Sequence, residues 1–597
     1  MFQSFEVRTR PQDGPPRLAA LREAMQNAQV DGFLVPRADA YQGEYVAPCD
    51  ERLAWLTGFT GSAGFCAVLN DRAGLFVDGR YRLQGRAQAA DAFEIVAWPN
   101  TKLGDWLVNA CPNGARVGYD AWLHTAKEID ALKTALNGSG ISLVAVDNLV
   151  DAVWTDRPAP PCGLAKSQPI EFAGEASGDK RARIGAVLAE AGQSSAVLTL
   201  PDSISWLLNI RGSDIPRNPV VHAFAILHAS GKVHLFTDPD KVAALGPDPN
   251  VDVTPMAGFA SALGGLTGKV RLDKGNAPQA VSNLLREAGV AFDWGEDPCV
   301  LPKACKNPAE IAGTREAHLR DGAAMVEFLA WLDAQEPGSL TEIAVATKLE
   351  GFRQATGVLR DISFETICGA GPNGAIVHYR VTEETNRQIQ PGELLLVDSG
   401  GQYEDGTTDI TRTIAMGAPP DDAVAACTRV LQGMIAVSMA RWPEGLAGRD
   451  LDALARAPLW RAGQDYDHGT GHGVGVYLSV HEGPQRLSRV SDTPLQPGMI
   501  LSNEPGYYRE GAFGIRIENL VVVQPADIPE GGDTHRKMLS FETLTFVPID
   551  ARLVNTAELT AAERAWLNAY HADVEAKISP HVSAFAHGWL KRATRAI

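Results

Sequence analysis

No apolar run in the chain reaches the roughly 18 residues that a membrane-spanning helix needs, so the sequence encodes no such span. Basic residues are in the minority: 54 Lys and Arg stand against 72 Asp and Glu, for a net charge of −18. With no basic field to neutralise phosphates, nucleic acid is excluded as a partner. The eight cysteines are scattered, Cys299 and Cys305 lie closest, and no CxxC occurs. That pattern predicts free thiols in a reducing compartment. The opening MFQSFEVRTRPQDG lacks the apolar core of a secretory signal. It reads as a loose leader through residue 16, and a cytoplasmic location is expected. The glycine-rich GFTGSAG (58–64) is followed by no Lys-Ser/Thr and lacks the GxGxxG spacing, so a tight turn is expected there, not a phosphate cradle.

What is present is an ordinary globular composition, 45% apolar and 21% charged, over 597 residues. That length exceeds one hydrophobic core and predicts two to four domains. The first, residues 1–154, alternates helical and strand-like runs. A helix is expected over about 17–29, with Leu18, Leu21 and Met25 at helical spacing, then the strand GFLVP (32–36). The proline-dense TDRPAPPCGLAKSQP (155–169) reads as a linker. A second domain, 155–304, repeats the order of elements. Trp55-Leu56-Thr57-Gly58 before AVLNDRAGLFVD finds its counterpart in Trp206-Leu207-Leu208-Asn209 before AFAILHASGKVHLFTD. The second copy carries an insert, RGSDIPRNP (211–219). A period near 150 residues indicates a duplicated domain, not a solenoid.

The third domain, 305–597, opens on KNPAEI, where Asn307 as N-cap, Pro308 at N1 and Glu310 at N3 form a capping-box pattern. Further helices are expected near 341–355 and 421–441, with glycine-punctuated strands between them. This mixture predicts an α+β domain in which helices back a curved antiparallel sheet, after two α/β domains. His318, on the first helix, reads as a structural histidine. Trp566, Tyr570 and Trp589 in the tail read as docking residues. Trp460 reads as core or as a subunit contact. Arg80, in DGRY, reads first as an ion-pair partner and second as a group reaching a neighbouring site.

The chemistry lies between Asp398 and Glu518. Residues 394–398 (LLLVD) form an apolar strand ending in an acid, and 409–413 (DITRT) begin with one. Asp405-Gly406 lies between them, so a hairpin is expected, with Asp398 and Asp409 on facing strands. IRIENLVVV (515–523) reads as one strand with Arg516 and Glu518 on one face. Converging buried acids repel one another and resist desolvation. Two divalent cations remove that difficulty, and an all-O/N ligand set of four carboxylates and an imidazole suits them. The imidazole is His472, in HGTGHGVG (468–475). Its flanking Gly471 and Gly473 imply backbone passing close by.

The motifs HGTGHGVG, NEPGYY and GIRIEN, with Asp398/Asp409 eleven residues apart and Glu504/Glu518 fourteen apart, resemble the creatinase/methionine-aminopeptidase ("pita-bread") superfamily. Within it the chain is similar to the aminopeptidases P of the long, three-domain cytosolic type, over nearly its whole length. The resemblance implies an aminopeptidase that releases the N-terminal residue ahead of a proline through a hydroxide bridging two metals. It implies Asp398 chelating one ion, Asp409 and Glu518 bridging, and His472 and Glu504 completing the second. Manganese is the usual activator in the family, while cobalt or zinc fits the same ligands. Glu504 is further expected to manage the water proton, His481 to donate to the substrate carbonyl, and His378 to bond the peptide near the scissile bond. His468 is expected to shape the proline pocket, and Arg516 to orient Glu504 or the substrate. Partners implied are peptides with penultimate proline and a second copy of the chain in a homodimer.

Prolidases share the five ligands but cleave dipeptides and carry one N-terminal domain. Methionine aminopeptidases lack the large N-terminal domains. Creatinases, and non-catalytic peptide-binding or scaffold relatives, are expected to have lost the ligands. A two-metal phosphatase would want basic residues around its phosphate, and these are scarce beside the motifs.

Overall fold

The computed structural model describes every residue but Pro337. The chain forms two compact units, Arg8–Lys303 and Ala304–Ile597, the second joined by Met1–Val7.

The Arg8–Lys303 unit contains the duplication. Its first six-stranded sheet runs Glu94–Ala97, Ala73–Val77, Phe65–Leu69, Gly32–Pro36, Ala115–Tyr119, Ile141–Ala145. Its second runs Val251–Thr254, Val233–Phe236, Phe224–His228, Ser195–Leu198, Val270–Leu272, Phe292–Trp294. Going across either sheet, the pairings read parallel, antiparallel, antiparallel, parallel, parallel. The same order and directions in both sheets are what a duplicated α/β domain produces. The central strands are apolar throughout: Phe33, Leu34, Val35, Leu75, Phe76 and Val77 are buried, as sheets covered on both faces require.

In the other unit the helix Pro308–Asp333 starts as its sequence dictates. The Asn307 side chain accepts from the Ala309 and Glu310 amides, and the Glu310 carboxylate accepts from the Asn307 amide. Such a cap contributes on the order of 1 kcal/mol. Helices Glu342–Gln354 and Asp421–Ser438 form within a few residues of their expected limits. The latter buries Ala426, Val430, Leu431, Met434 and Ile435, in one cluster with Ile515, Ile517, Leu567 and Tyr570. Each fully buried aliphatic side chain there contributes about 1.5–3 kcal/mol. All strand pairings here are antiparallel. The strands are divided among sheets: two of three strands (Ile367–Ala370, Glu393–Ser399, Ile410–Met416; and Asp361–Ile362, Gly401–Tyr403, Gly406–Thr407), one of six centred on Asn519–Ala526 and Ile500–Asn503, and the pair Gly506–Arg509 and Phe513–Arg516.

Two sequence expectations fail. The start of the chain is no loose leader: Phe5 is buried against Met325 and Phe328, and Gln3 exchanges hydrogen bonds with Thr366. The helix expected from residue 17 already begins at Gly14. IRIENLVVV is also not one strand. Phe513–Arg516 pairs with Gly506–Arg509, the ladder stops, and Asn519–Ala526 joins the six-stranded sheet. Ile517 and Glu518 span the step between the two sheets. There the Glu518 amide donates to the Thr411 carbonyl instead of to a ladder partner.

Candidate metal centre

Asp398 is the penultimate residue of the strand Glu393–Ser399, opposite Thr411 in the register. Asp409 immediately precedes the facing strand, so the two acids sit at one end of the expected hairpin. Glu504 follows Ile500–Asn503, and its amide donates to the Thr470 carbonyl. Glu518 lies at the step between sheets, where the Thr411 hydroxyl donates to its Oε2 at 2.7 Å. His472 sits on the short strand Gly471–Gly473. A β-carbon on Gly471 would lie 1.9 Å from the Ser502 carbonyl oxygen, and one on Gly473 would lie 2.3 Å from that of Glu482. Only glycine permits this approach, the close passage that the sequence implied.

These residues converge. His472 Nε2 is 3.3 Å from Asp409 Oδ2 and 3.3 Å from Glu504 Oε1. One ligand atom from each of Asp409, His472 and Glu518 lies within 4.8 Å of the others. The Gly473 carbonyl accepts from His472 Nδ1 at 3.0 Å. A carbonyl only accepts, so Nδ1 carries a proton and Nε2 is the nitrogen that faces the acids, the orientation a ligating imidazole needs. Ser502 steadies both neighbours, accepting from the His472 amide and donating to Glu504 Oε1.

The electrostatics call for cations. Burial, then Asp398 and Glu504, push the Asp409 carboxyl well above the ordinary range. Burial, then Asp409, Glu504 and Asp398, do the same to Glu518. Asp398 Oδ1, Asp409 Oδ1 and Glu518 Oε1 are buried with no hydrogen-bond partner. Native proteins rarely leave buried carboxylate oxygens unsatisfied. Three such atoms beside an imidazole fit divalent cations, since the one guanidinium against them, that of Arg516, is hydrogen-bonded to Asp398 Oδ2 and leaves these three oxygens without a partner.

Arg516 is 1% exposed and lies against the acids. It donates through Nη2 to Asp398 Oδ2 at 2.5 Å, through Nε to the Thr411 hydroxyl, and to the Val377 carbonyl beside His378. Its Nη1 donates to the Tyr508 hydroxyl. Burial pushes the Tyr508 phenol up to about 12, so it stays neutral and passes its own hydrogen to His468 Nε2, 2.9 Å away. His468 Nδ1 donates in turn to the Gly469 carbonyl. Arg516 therefore reaches both an acid and the expected proline-pocket histidine, where the sequence reading had it orient Glu504 or substrate. His481 packs edge-on to His472, ring centres 4.3 Å apart. His378 is half-buried after Val377.

Sequence reasoning missed the residues that hold these groups. Tyr508 stands in the NEPGYY motif and was within reach of it. Arg412 was not: the alternation in DITRT gives no sign that its guanidinium is buried among the carbonyls of Thr411, Glu518, Val547 and Pro548, and meets Tyr570 of the tail. The tail thus docks on the site-bearing strands, as its aromatics suggested. Arg456 and Asp452, on the helix Gly448–Trp460, secure HGTGH through the Tyr466 and His468 carbonyls and the Thr470 hydroxyl. Trp460, at the end of that helix, is 44% exposed and so not core. His318 is buried, accepted by the Thr314 carbonyl in its own helix. Arg80 belongs to the other unit and pairs with Asp78 at 2.7 Å, the plainer of its two readings.

Family models agree along the chain. Metallopeptidase family M24 matches residues 312–525 and the C-terminal region of peptidase M24 matches 537–597. Creatinase/prolidase N-terminal domains match 17–153 and 156–310. Aminopeptidase P2 of Arabidopsis thaliana is 38% identical, covering 95% of this chain and 86% of its own. A probable Xaa-Pro aminopeptidase P of Coccidioides posadasii is 39% identical, covering 99% and 95%. The crystal structure of X-prolyl aminopeptidase from Caenorhabditis elegans, a cytosolic enzyme with a di-nuclear active site, superposes with a TM-score of 0.92 at 33% identity, covering 98% of this chain and 99% of that one. The prolidase from Pyrococcus horikoshii shares the fold alone, with a TM-score of 0.50 at 24% identity over 62% of this chain. Matched by these relatives almost end to end, the chain belongs to metallopeptidase family M24 as a long, three-domain aminopeptidase P.

Proposed function

We propose that this protein is a metal-dependent Xaa-Pro aminopeptidase, releasing the N-terminal residue of peptides whose second residue is proline. The observation that carries the reading is the convergence of unpartnered buried oxygens of Asp398, Asp409 and Glu518 with His472 and Glu504. Asp398, Asp409, His472, Glu504 and Glu518 would hold the two ions. Two manganese ions suit this set, and cobalt or zinc would be accepted by the same donors. When bound, the ions supply hydroxide at neutral pH and polarise the scissile carbonyl.

The protein's own groups do the rest. Glu504, its Oε1 held by Ser502, takes the proton of the attacking water. His481 donates to the carbonyl oxygen as negative charge develops on it. His378, beside the carbonyl that Arg516 holds, bonds the peptide next to the scissile bond. His468, fixed by Tyr508 and Gly469, walls the pocket for the proline ring. A tertiary amide brings no N–H to that pocket, so a ring-shaped wall discriminates better than an acceptor. Arg516 keeps Asp398 in place. On the same reading the chain divides into domains 1–154, 155–304 and 305–597, acts in the cytoplasm, and pairs as a homodimer, for which exposed Trp460 offers a contact.

The test is an assay of metal-depleted protein reloaded with Mn²⁺ on Xaa-Pro, Xaa-Pro-Yaa and Xaa-Ala-Yaa. Fast turnover of Xaa-Pro-Yaa with little on Xaa-Ala-Yaa is expected. Cleavage of the dipeptide alone would make the protein a prolidase. No turnover by protein with bound metal would overturn the peptidase reading.

A further inference from the structure

The residue after Asp398 and the residue before Asp409 are bound to one buried ion pair. Asp321, on the helix Pro308–Asp333, and Arg353, on the helix Glu342–Gln354, have side chains that are 0% exposed. Arg353 Nε donates to Asp321 Oδ1 at 2.7 Å and Nη2 to Oδ2 at 3.0 Å. The same Nη2 donates to the Ser399 carbonyl at 3.2 Å. The Thr408 hydroxyl donates to Asp321 Oδ2 at 3.0 Å, and the Tyr403 hydroxyl to Oδ1 at 2.6 Å. Thr408 Oγ1 then accepts from the Gly401 amide at 2.9 Å, which closes the connection between the two strands.

The carboxylate therefore accepts four hydrogen bonds, two from the fork of one guanidinium. A buried pair of this kind gives little net stability over apolar side chains of the same volume, because desolvation offsets its attraction. It does supply directional geometry, and here that geometry ends on the backbone of Ser399 and the side chain of Thr408. These are the immediate neighbours of Asp398 and Asp409, where the ladder ends on the Ser399–Ile410 pair and Asp409 and Thr408 lie just beyond it. Direct contact with substrate or ion is not needed for such a role.

We propose that the Asp321–Arg353 pair is a positioning device that sets the spacing of the Asp398 and Asp409 carboxylates, acting through Ser399 and Thr408. The proposal rests on the metallopeptidase reading above. It implies that metal affinity depends on two helical residues that touch none of the five ligands by hydrogen bond. Groups that orient metal ligands typically change affinity or activity about 10–100-fold when altered.

The experiment uses the full chain, metal-depleted and titrated with Mn²⁺ by calorimetry, with melting of the metal-free protein in parallel. Thr408→Val removes the hydroxyl at nearly constant shape, and Arg353→Lys keeps the charge but loses the fork. Both are expected to raise the Mn²⁺ dissociation constant by about 10–100-fold, with turnover recovering at saturating Mn²⁺. Thr408→Ser keeps the hydroxyl and is expected to restore affinity. Tyr403→Phe removes a bond to the same carboxylate without loosening either neighbour, and is expected to lower melting while affinity stays near wild type. Wild-type affinity in Thr408→Val, or losses that track melting alike in all variants, would overturn the proposal. A wild-type chain that takes up no Mn²⁺ would overturn the metal reading itself.

Discussion

Arg516 and Asp398 stand 118 positions apart in sequence and meet in a buried contact, Nη2 to Oδ2 at 2.5 Å. The same guanidinium donates to Tyr508, which reaches His468. One side chain therefore sets the angle of an acid and of a pocket wall. Arg516→Lys retains the charge but loses the fork and cannot serve both partners. The expected outcome is a fall in kcat/KM on Xaa-Pro-Yaa of about 10–100-fold, with Tyr508→Phe, which spares Asp398, costing about 10-fold or less. Wild-type kcat/KM in Arg516→Lys would show that Asp398 needs no guanidinium to hold it.

Gly471 tests how tightly His472 is seated. An added β-carbon would lie 1.9 Å from a backbone oxygen, and backbone cannot yield as a flexible side chain does. Gly471→Ala is expected to destabilise by about 1–3 kcal/mol and to lose more activity than that loss of folded protein explains, because His472 moves with the strand. Gly351→Ala is the control: it sits in a helix with nothing within 4 Å of the new carbon and is expected to stabilise slightly. Equal activity per folded molecule in Gly471→Ala would separate the glycine from the site.

Much of this was legible in sequence because it is local. The Asn307–Glu310 cap, the helices after it and the Asp398/Asp409 hairpin follow from spacing and turn residues within a few positions. The duplicated N-terminal domain was legible because two copies of a pattern are easier to see than one. What escaped was long-range. IRIENLVVV has the alternation of a single strand, and only the need to serve two sheets breaks it at Ile517–Glu518. Phe5 looks like part of a polar leader until the pocket beside Met325 is known. Asp321 and Arg353 look like solvated helical charges, since nothing within either helix shows that the two face each other in the core.

Metal removal should register in stability as well as in activity. Ions that bind only the folded chain stabilise it by mass action, about 2.7 kcal/mol when free ion is 100 times the dissociation constant. Here they would also relieve the mutual repulsion of buried carboxylates. The expected outcome is a urea midpoint for the Ala304–Ile597 unit that falls on chelation and returns with Mn²⁺ but not with added salt of equal ionic strength. A midpoint indifferent to chelation would mean that the acids are satisfied without metal.

Asp39 and His222 give the Arg8–Lys303 unit an unusual dependence on pH. Both are buried, with Asp39 Oδ2 3.8 Å from His222 Nε2. Burial, then Asp50, raise the Asp39 carboxyl to about 7, and burial lowers His222 to about 4. A raised acid keeps a proton when folded that the unfolded chain releases, so its contribution to stability is lost as pH rises from about 4 to about 7. A depressed histidine stays neutral when folded while the unfolded chain binds a proton below about 6.5, so its contribution is gained as pH rises over nearly the same window. The two slopes, each about 1.4 kcal/mol per pH unit, oppose one another. The joint contribution of these two groups to wild-type stability should therefore be nearly flat between about pH 4 and 6.5. In Asp39→Asn the acid's slope is gone, the Tyr41 and Gly43 amides keep their acceptor, and stability relative to wild type should climb with pH. By pH 7 the variant should exceed wild type by on the order of 2–4 kcal/mol. Urea unfolding of both proteins at half-unit pH intervals reads this directly. Parallel curves for the two would mean that Asp39 ionises in the folded chain as it does in the unfolded one.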